Sequence, residues 1–247
     1  MALDGTAQGD WTACGCGYPV PVPAGGRGSR PKVITFDLFS ALLDSASGAG
    51  SVFDLFAYDR NWPRTGAQVY AVWDARNKEL QKSCMQWKPF STLAEQALAD
   101  TYAKFRLPGD PRQDSITLLA SIEGWPAWPD VVAGLSLLSQ GFIVGILSNV
   151  DDDLLSRTQI WPLVDHKYAF TSERLGWYKP DPRIYRLTAA ACHLRTHVAA
   201  SARDVRGACE AGIPVVRVVR TGHQVDHSGP VPKMTVSTIH ELCSSLT

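Results

Sequence analysis

The chain has 247 residues, 45% of them apolar, with 24 Lys plus Arg against 24 Asp plus Glu. That length and composition support one large domain, or a core with an insertion, without covalent staples. Zero net charge removes the basic field that nucleic acid or an anionic membrane surface would need, and no apolar run approaches the roughly 20 residues that span a bilayer. The six cysteines, at 14, 16, 84, 192, 209 and 243, show no CxxC pairing and follow no secretory segment, so reduced thiols in a cytoplasmic protein are expected.

Residues 1–30 are rich in Gly, Pro and small polar residues without periodicity, which predicts a disordered leader. Cys14 and Cys16 within it would suit a soft metal, but no second Cys or His pair lies nearby in the sequence, and a tail is the preferred reading. A buried-strand pattern, Lys32-Val33-Ile34-Thr35-Phe36, then ends abruptly in Asp37. From about Val52 to Glu123 the apolar spacing is helical, broken by Pro63, Pro89 and Pro108, which predicts three or four short helices.

After Trp128 the pattern becomes strand and helix in alternation. Pro129-Asp130 opens a helix that Gly141 ends, and Phe142 to Leu147 is a continuous apolar run stopping at Ser148-Asn149. Helices near Asp152–Gln159, from Asp181 to Ala191 and from Asp204 to Glu210 alternate with strands at 168–171, 197–200 and 214–219. This order specifies an α/β fold, a doubly wound three-layer parallel sheet. The expected division is a core over 31–45 and 129–247, with a helical cap over 46–128.

In such a sheet, ligands bind beyond the carboxyl ends of the strands. Asp37, Ser148-Asn149, Lys179 and Asp204 all fall there, one from each of four segments. An Asp nucleophile forms a covalent ester, Lys179 offsets its charge, Ser148 and Asn149 donate hydrogen bonds, and Asp204 serves as base for hydrolysis. Taken singly, Asp37 and Ser148-Asn149 also read as loop or helix caps, and Lys179 with Asp204 as a buried ion pair.

The four segments resemble the haloacid dehalogenase superfamily over about residues 31–247, with its Rossmann-like core and inserted cap. Leu147-Ser148-Asn149, Lys179-Pro180-Asp181-Pro182-Arg183-Ile184-Tyr185, and the stretch from His197 to Gly222 are similar to the type II 2-haloacid dehalogenase-like branch. The resemblance implies a hydrolase with catalytic Asp37, Lys179 and Asp204, and a substrate site including Phe39, Ser148, Asn149, Trp73, Asp74, Arg76, Tyr185 and Ser201.

Departures from the family pattern narrow the reading. Phosphatases of the superfamily carry a second Asp where Phe39 stands, and acids for Mg²⁺ in the fourth motif, where Ala199, Ala200 and Ser201 precede Asp204. Few oxygen ligands make a poor Mg²⁺ site, so no cofactor is expected, and an Mg²⁺-dependent phosphatase is the alternative, along with a non-catalytic ligand-binding protein. Haloacid dehalogenases usually have Tyr at the Phe39 position, Thr at Ala41 and a cap Arg where Asp74 follows Trp73. The expectation is therefore dehalogenase-type chemistry on a different, less anionic carbon electrophile. A small-molecule substrate is the expected partner, with a homodimer left open. Trp73 and Trp177 are read as apolar walls of the site, and the histidines as surface or strand-end residues.

Overall fold

The computed structural model describes residues 11–13, 19–21, 32–224, 226 and 228–246. In the leader, β1 (Trp11–Ala13) pairs antiparallel with β2 (Pro19–Pro21). This departs from the expectation of a leader without regular structure. Cys14, Cys16 and the rest of 1–30 lie outside the described residues.

The core sheet contains β3 (Val33–Phe36), β4 (Ile143–Ser148), β5 (Ala169–Thr171), β6 (Leu194–Ala199), β7 (Val215–Val218) and β8 (Met234–Val236). All pairs are parallel, in the order β5-β4-β3-β6-β7-β8. Strand β3 is central and buried at every position, as its unbroken apolar pattern requires when helices cover both faces. One face packs against α5 (Val131–Leu138) and α10 (Ile239–Leu246); the other against α8 (Pro182–Ala191) and α9 (Ala202–Glu210), with α6 (Asp152–Ser156) and α7 (Ser172–Leu175) short connectors. The doubly wound α/β core is thus as expected. Strand β8 and helix α10 were not foreseen: three residues are too few for an alternation to register, and Ile239, Leu242 and Cys243 form only two turns of apolar face.

Between β3 and α5 the chain builds four helices: α1 (Ser45–Arg60), α2 (Gly66–Ser83), α3 (Phe90–Phe105) and α4 (Pro111–Ala120). Three of them open on a side-chain cap. Asp44 caps α1, Thr65 and Gln68 form a capping box on α2, and Asp110 caps α4 with Pro111 in its first turn. The two chain crossings between helices and core pair with each other: Trp128 N–H donates to Leu42 O at 3.0 Å and Asp44 N–H to Pro126 O at 2.8 Å. One apolar cluster runs from the sheet into the four helices, so cap and core share a hydrophobic interior. No helix among the described residues is long and apolar enough to cross a membrane.

Helix α3 lacks a side-chain cap of its own. The core supplies one: the buried Asp151 carboxylate accepts from Phe90 N–H at 2.6 Å and Ser91 N–H at 2.9 Å. Asp151→Ala should therefore cost about 1–2 kcal/mol, which for this chain length lowers the melting temperature by about 2–4 °C per kcal/mol. Calorimetric melting checks it; an unchanged midpoint would show that water replaces the cap at no cost.

Candidate active site

Asp37 follows β3 directly, its N–H donating to Val198 O of the neighbouring strand at 2.9 Å. The chain then winds through a wide π-type turn, Leu38–Leu42, which Asp37 caps. Asp37 Oδ2 accepts from Ser40 N–H at 2.8 Å and Ser40 Oγ at 2.5 Å. Oδ1 accepts from Lys179 Nζ at 2.7 Å and Ser148 Oγ at 3.2 Å. The strand order brings these groups together: β3 lies between β4, which ends in Ser148, and β6, which leads into α9.

Lys179 reaches the same point from the turn before α8. Its ammonium donates to Asp37 Oδ1, to Asp204 Oδ2 at 2.5 Å and to Leu147 O at 2.8 Å, which uses all three of its donors. Asn149 holds that turn, accepting from Lys179 N–H at 2.7 Å and donating to Lys179 O at 3.0 Å and Gln81 Oε1 of the cap at 2.8 Å. Both halves of the Asn149 amide are engaged, so it positions Lys179 at the cleft wall.

Asp204 is buried in the first turn of α9. Besides Lys179 it accepts from Tyr185 OH at 2.7 Å and lies 3.2 Å from His197 Nε2. His197 Nδ1 is in turn 3.0 Å from Thr35 Oγ1. Two expectations change here. Tyr185 is fully buried behind Asp204 and away from the cleft lining. His197, read as a strand-end residue, is fully buried beneath the site. Tyr185 approaches Asp204 because position 207 is glycine: a Cβ there would stand 2.7 Å from Pro180 Cβ and 2.8 Å from the Tyr185 hydroxyl.

Burial opposes charge on all three groups, but their mutual attraction is stronger. For Asp37, burial raises the pKa and the charge and hydrogen bond of Lys179 lower it, against a raising effect of Asp204; the net is below the ordinary value. Asp204 likewise lies below its ordinary value despite burial, through Lys179 and His197. Burial lowers Lys179, yet Asp204 and Asp37 hold it above its ordinary value. The cluster is therefore two carboxylates and one ammonium at neutral pH.

Over this cluster lies a cleft open to solvent. Helix α2 presents Tyr70, Trp73, Asp74, Asn77, Lys78 and Gln81 to it, positions that share one face at helical spacing. Arg76 falls on the opposite side of α2, bonded to Asp100 at 2.7 Å and Glu79 at 3.0 Å in a separate groove. Its expected place in the site is not met, because two residues on from Asp74 the helix has turned by about 200°, which carries Arg76 off the face that meets the cleft. Asp74 faces the cleft but is paired with Lys78 at 2.5 Å. Phe39 stacks on Phe90, ring centroids 5.4 Å apart, with Trp125 tilted at 5.9 Å. Trp73 is buried with its indole N–H on Ala94 O at 3.0 Å. Trp177 is no wall: the Arg183 guanidinium covers its ring at 3.2 Å, and it does not line the cleft.

Ser201 lines the cleft, its Oγ accepting from Asp204 N–H at 3.4 Å. Several cleft residues escaped the sequence reading: Ser40, Tyr70, Asn77, Lys78, Gln81, Arg203 and His223. The polar stripe on α2 carried a signal, since 70, 74, 77, 78 and 81 recur at helical spacing. Burial lowers the His223 pKa, as does Lys78, against the raising effect of Asp37 and Asp74.

No protein-family model matches the chain. It is 28% identical to (S)-2-haloacid dehalogenase 4A of Burkholderia cepacia over 224 residues, covering 85% of this chain and 93% of that protein. Among solved structures, a dehalogenase superposes with a TM-score of 0.73 at 25% identity, over 88% of this chain and 97% of its own. An L-2-haloacid dehalogenase from Xanthobacter autotrophicus superposes with a TM-score of 0.73 at 19% identity, over 87% and 98%. These likenesses agree with the resemblance of the sequence motifs to the type II 2-haloacid dehalogenase-like branch, and support a hydrolase of the haloacid dehalogenase-like kind.

The charge cluster sets the acid and base limits of stability. Asp37 and Asp204 have lowered folded-state values, so their contribution is complete above about pH 4 and is lost as pH falls through the lowered values. Lys179 is raised, so its contribution is complete below about pH 10 and is lost as pH rises further. Lys179→Met leaves two buried carboxylates uncompensated and should cost about 3–5 kcal/mol at pH 7. The difference from the parent chain should shrink as pH falls from 7 and those carboxyls protonate, measured by urea denaturation at pH 7 and pH 3.5. A difference independent of pH would disprove the charge argument.

Proposed function

We propose that Asp37 is the nucleophile of a metal-independent hydrolase acting on a carbon electrophile, with a substrate altered from that of ordinary haloacid dehalogenases. The observation that carries this reading is the Asp37 carboxylate, held ionised by Lys179 at the floor of a cleft with apolar walls. Oδ1 attacks the carbon, the leaving group departs with its electron pair, and an ester forms on Asp37. Oδ2 becomes the carbonyl oxygen of that ester. The two donors of Ser40, already at 2.8 and 2.5 Å, then stabilise the negative charge collecting there when water adds to Asp37 Cγ.

Asp204 is the candidate acceptor of the water's proton. Its donors, Lys179 Nζ and Tyr185 OH, together with the neighbouring His197, keep it in the ionised form a base requires, and at the same time make it a weak base. Its second duty is to anchor Lys179. Collapse of the tetrahedral adduct releases the alcohol and regenerates Asp37 with one oxygen from water.

Metal independence is supported by the donor set. The Lys179 ammonium bridges Asp37 and Asp204, a position in which a divalent cation would have to displace it. Phe39 contributes no oxygen, and no cluster of three or more His, Cys, Asp or Glu suited to a metal occurs among the described residues. The change of substrate is supported by Phe39 and Ala41, which lack the hydroxyls of the family pattern.

Two experiments test the reading. A single turnover in ¹⁸O water, run over 2-halocarboxylates and 2-haloamides, should leave the label in Asp37 and the product unlabelled, with EDTA without effect. Label in the product and none in Asp37 would sink the covalent route, and activity restored by Mg²⁺ after chelation would support the phosphatase alternative. Ser40→Ala should lower kcat by about 10²-fold with little change in KM; an unchanged kcat would remove Ser40 from the reaction.

A further inference from the structure

Arg203, the second residue of α9, is a cation of the cleft that the proposed reaction leaves unused. Its Nη2 donates to the main-chain oxygen of Lys179 at 2.5 Å, which places the guanidinium beside the residue that holds the nucleophile. The other two basic side chains of the lining, apart from His223, have carboxylate partners: Lys179 has Asp37 and Asp204, and Lys78 has Asp74. Among the described residues no carboxylate lies within 4.0 Å of Arg203. A guanidinium has five N–H donors in a planar fork, and Arg203 brings that fork to the cleft lining with one donor on Lys179 O. Burial pushes it below its ordinary value, against the raising effects of Tyr185, Asp204 and Asp74.

The charge balance gives this residue a task. Asp37, Lys179 and Asp204 together leave one negative charge, Asp74 and Lys78 cancel, and Arg203 brings the cleft to neutrality with the histidines uncharged. An anionic substrate beside Asp37 would otherwise meet an uncompensated like charge. Asp74, which stands where the family pattern has a cap Arg, is neutralised by Lys78 at 2.5 Å, and Arg203 stands in the same lining.

We infer that Arg203 is the anion seat of this cleft, binding the carboxylate of a small monocarboxylate whose electrophilic carbon lies beside Asp37. The inference rests on the covalent reading above for the position of the reacting carbon. A planar carboxylate matches the guanidinium fork in two parallel hydrogen bonds, and in a cleft that Arg203 has brought to neutrality a monoanion meets less repulsion than a phosphate dianion would.

Propionate, which has no leaving group, and its neutral isostere propionamide are the probes, titrated by calorimetry into the full-length chain. The parent protein should bind propionate at least about tenfold more tightly than propionamide, a difference of about 1.4 kcal/mol. Arg203→Gln should remove that preference while propionamide binding stays within about twofold, and Arg203→Lys should keep part of it, since the charge remains and the fork does not. The inference is overturned if the parent protein does not distinguish the probes, if Arg203→Gln retains the preference, or if both probes weaken together. Labelling of Asp37 on the same preparations separates the two readings. Label without a propionate preference removes the anion seat alone, and a preference without label removes the covalent route alone.

Discussion

The ammonium of Lys179 joins three acceptors that the fold brings from three separate segments: Asp37 after β3, Leu147 O on β4, and Asp204 on α9. Without it the carboxyl edge of the sheet would carry two buried like charges a few ångströms apart, a costly arrangement in a low-dielectric interior. With it, the carboxylates stay ionised at neutral pH and the strand tips are tied. The same contacts that hold this edge together also keep Asp37 in the state a nucleophile needs. Under the proposed function, structural and chemical roles rest on one group.

Around that group the supporting contacts form a graded shell. Asn149 clamps the Lys179 turn through both its amide groups and reaches Gln81 on the cap. Asp151 caps α3 from the core. The loop after β4 thus touches both the Lys179 charge cluster and the cap, so the position of α2 and α3 over the cleft is coupled to the position of Lys179. Beneath the cluster, Thr35, His197 and Tyr185 support Asp204 from the interior. The polar groups there are satisfied, as burial at this depth demands.

Much of this architecture was legible in the sequence for identifiable reasons. Parallel strands buried on both faces read as unbroken apolar runs, so β3 and β4 were plain, and Asp37 was conspicuous as the charge that ends one of them. Prolines and polar caps marked the helices of the insertion. The short β8 and the two-turn α10 were missed because neither is long enough to establish a period. Arg76 was misplaced because nearness in sequence is not nearness on a helix, where each residue turns by about 100°, and Tyr185 because spacing from Lys179 does not reveal whether a hydroxyl points to the cleft or the interior.

By itself the sequence determined the order of elements and the identity of the charged groups at the strand ends, since burial periodicity and turn chemistry are local properties of the chain. It also determined what is missing, the hydroxyls at Phe39 and Ala41 and the acid that a phosphatase would carry. Only the tertiary structure decided the partners. That Asp74 is neutralised by Lys78, that Ser40 reaches Asp37 Oδ2, that His197 lies under Asp204 and that Arg203 faces the cleft without a carboxylate all depend on distances between side chains. Electrostatic energy varies with those distances and with burial, and neither is written in a one-dimensional pattern.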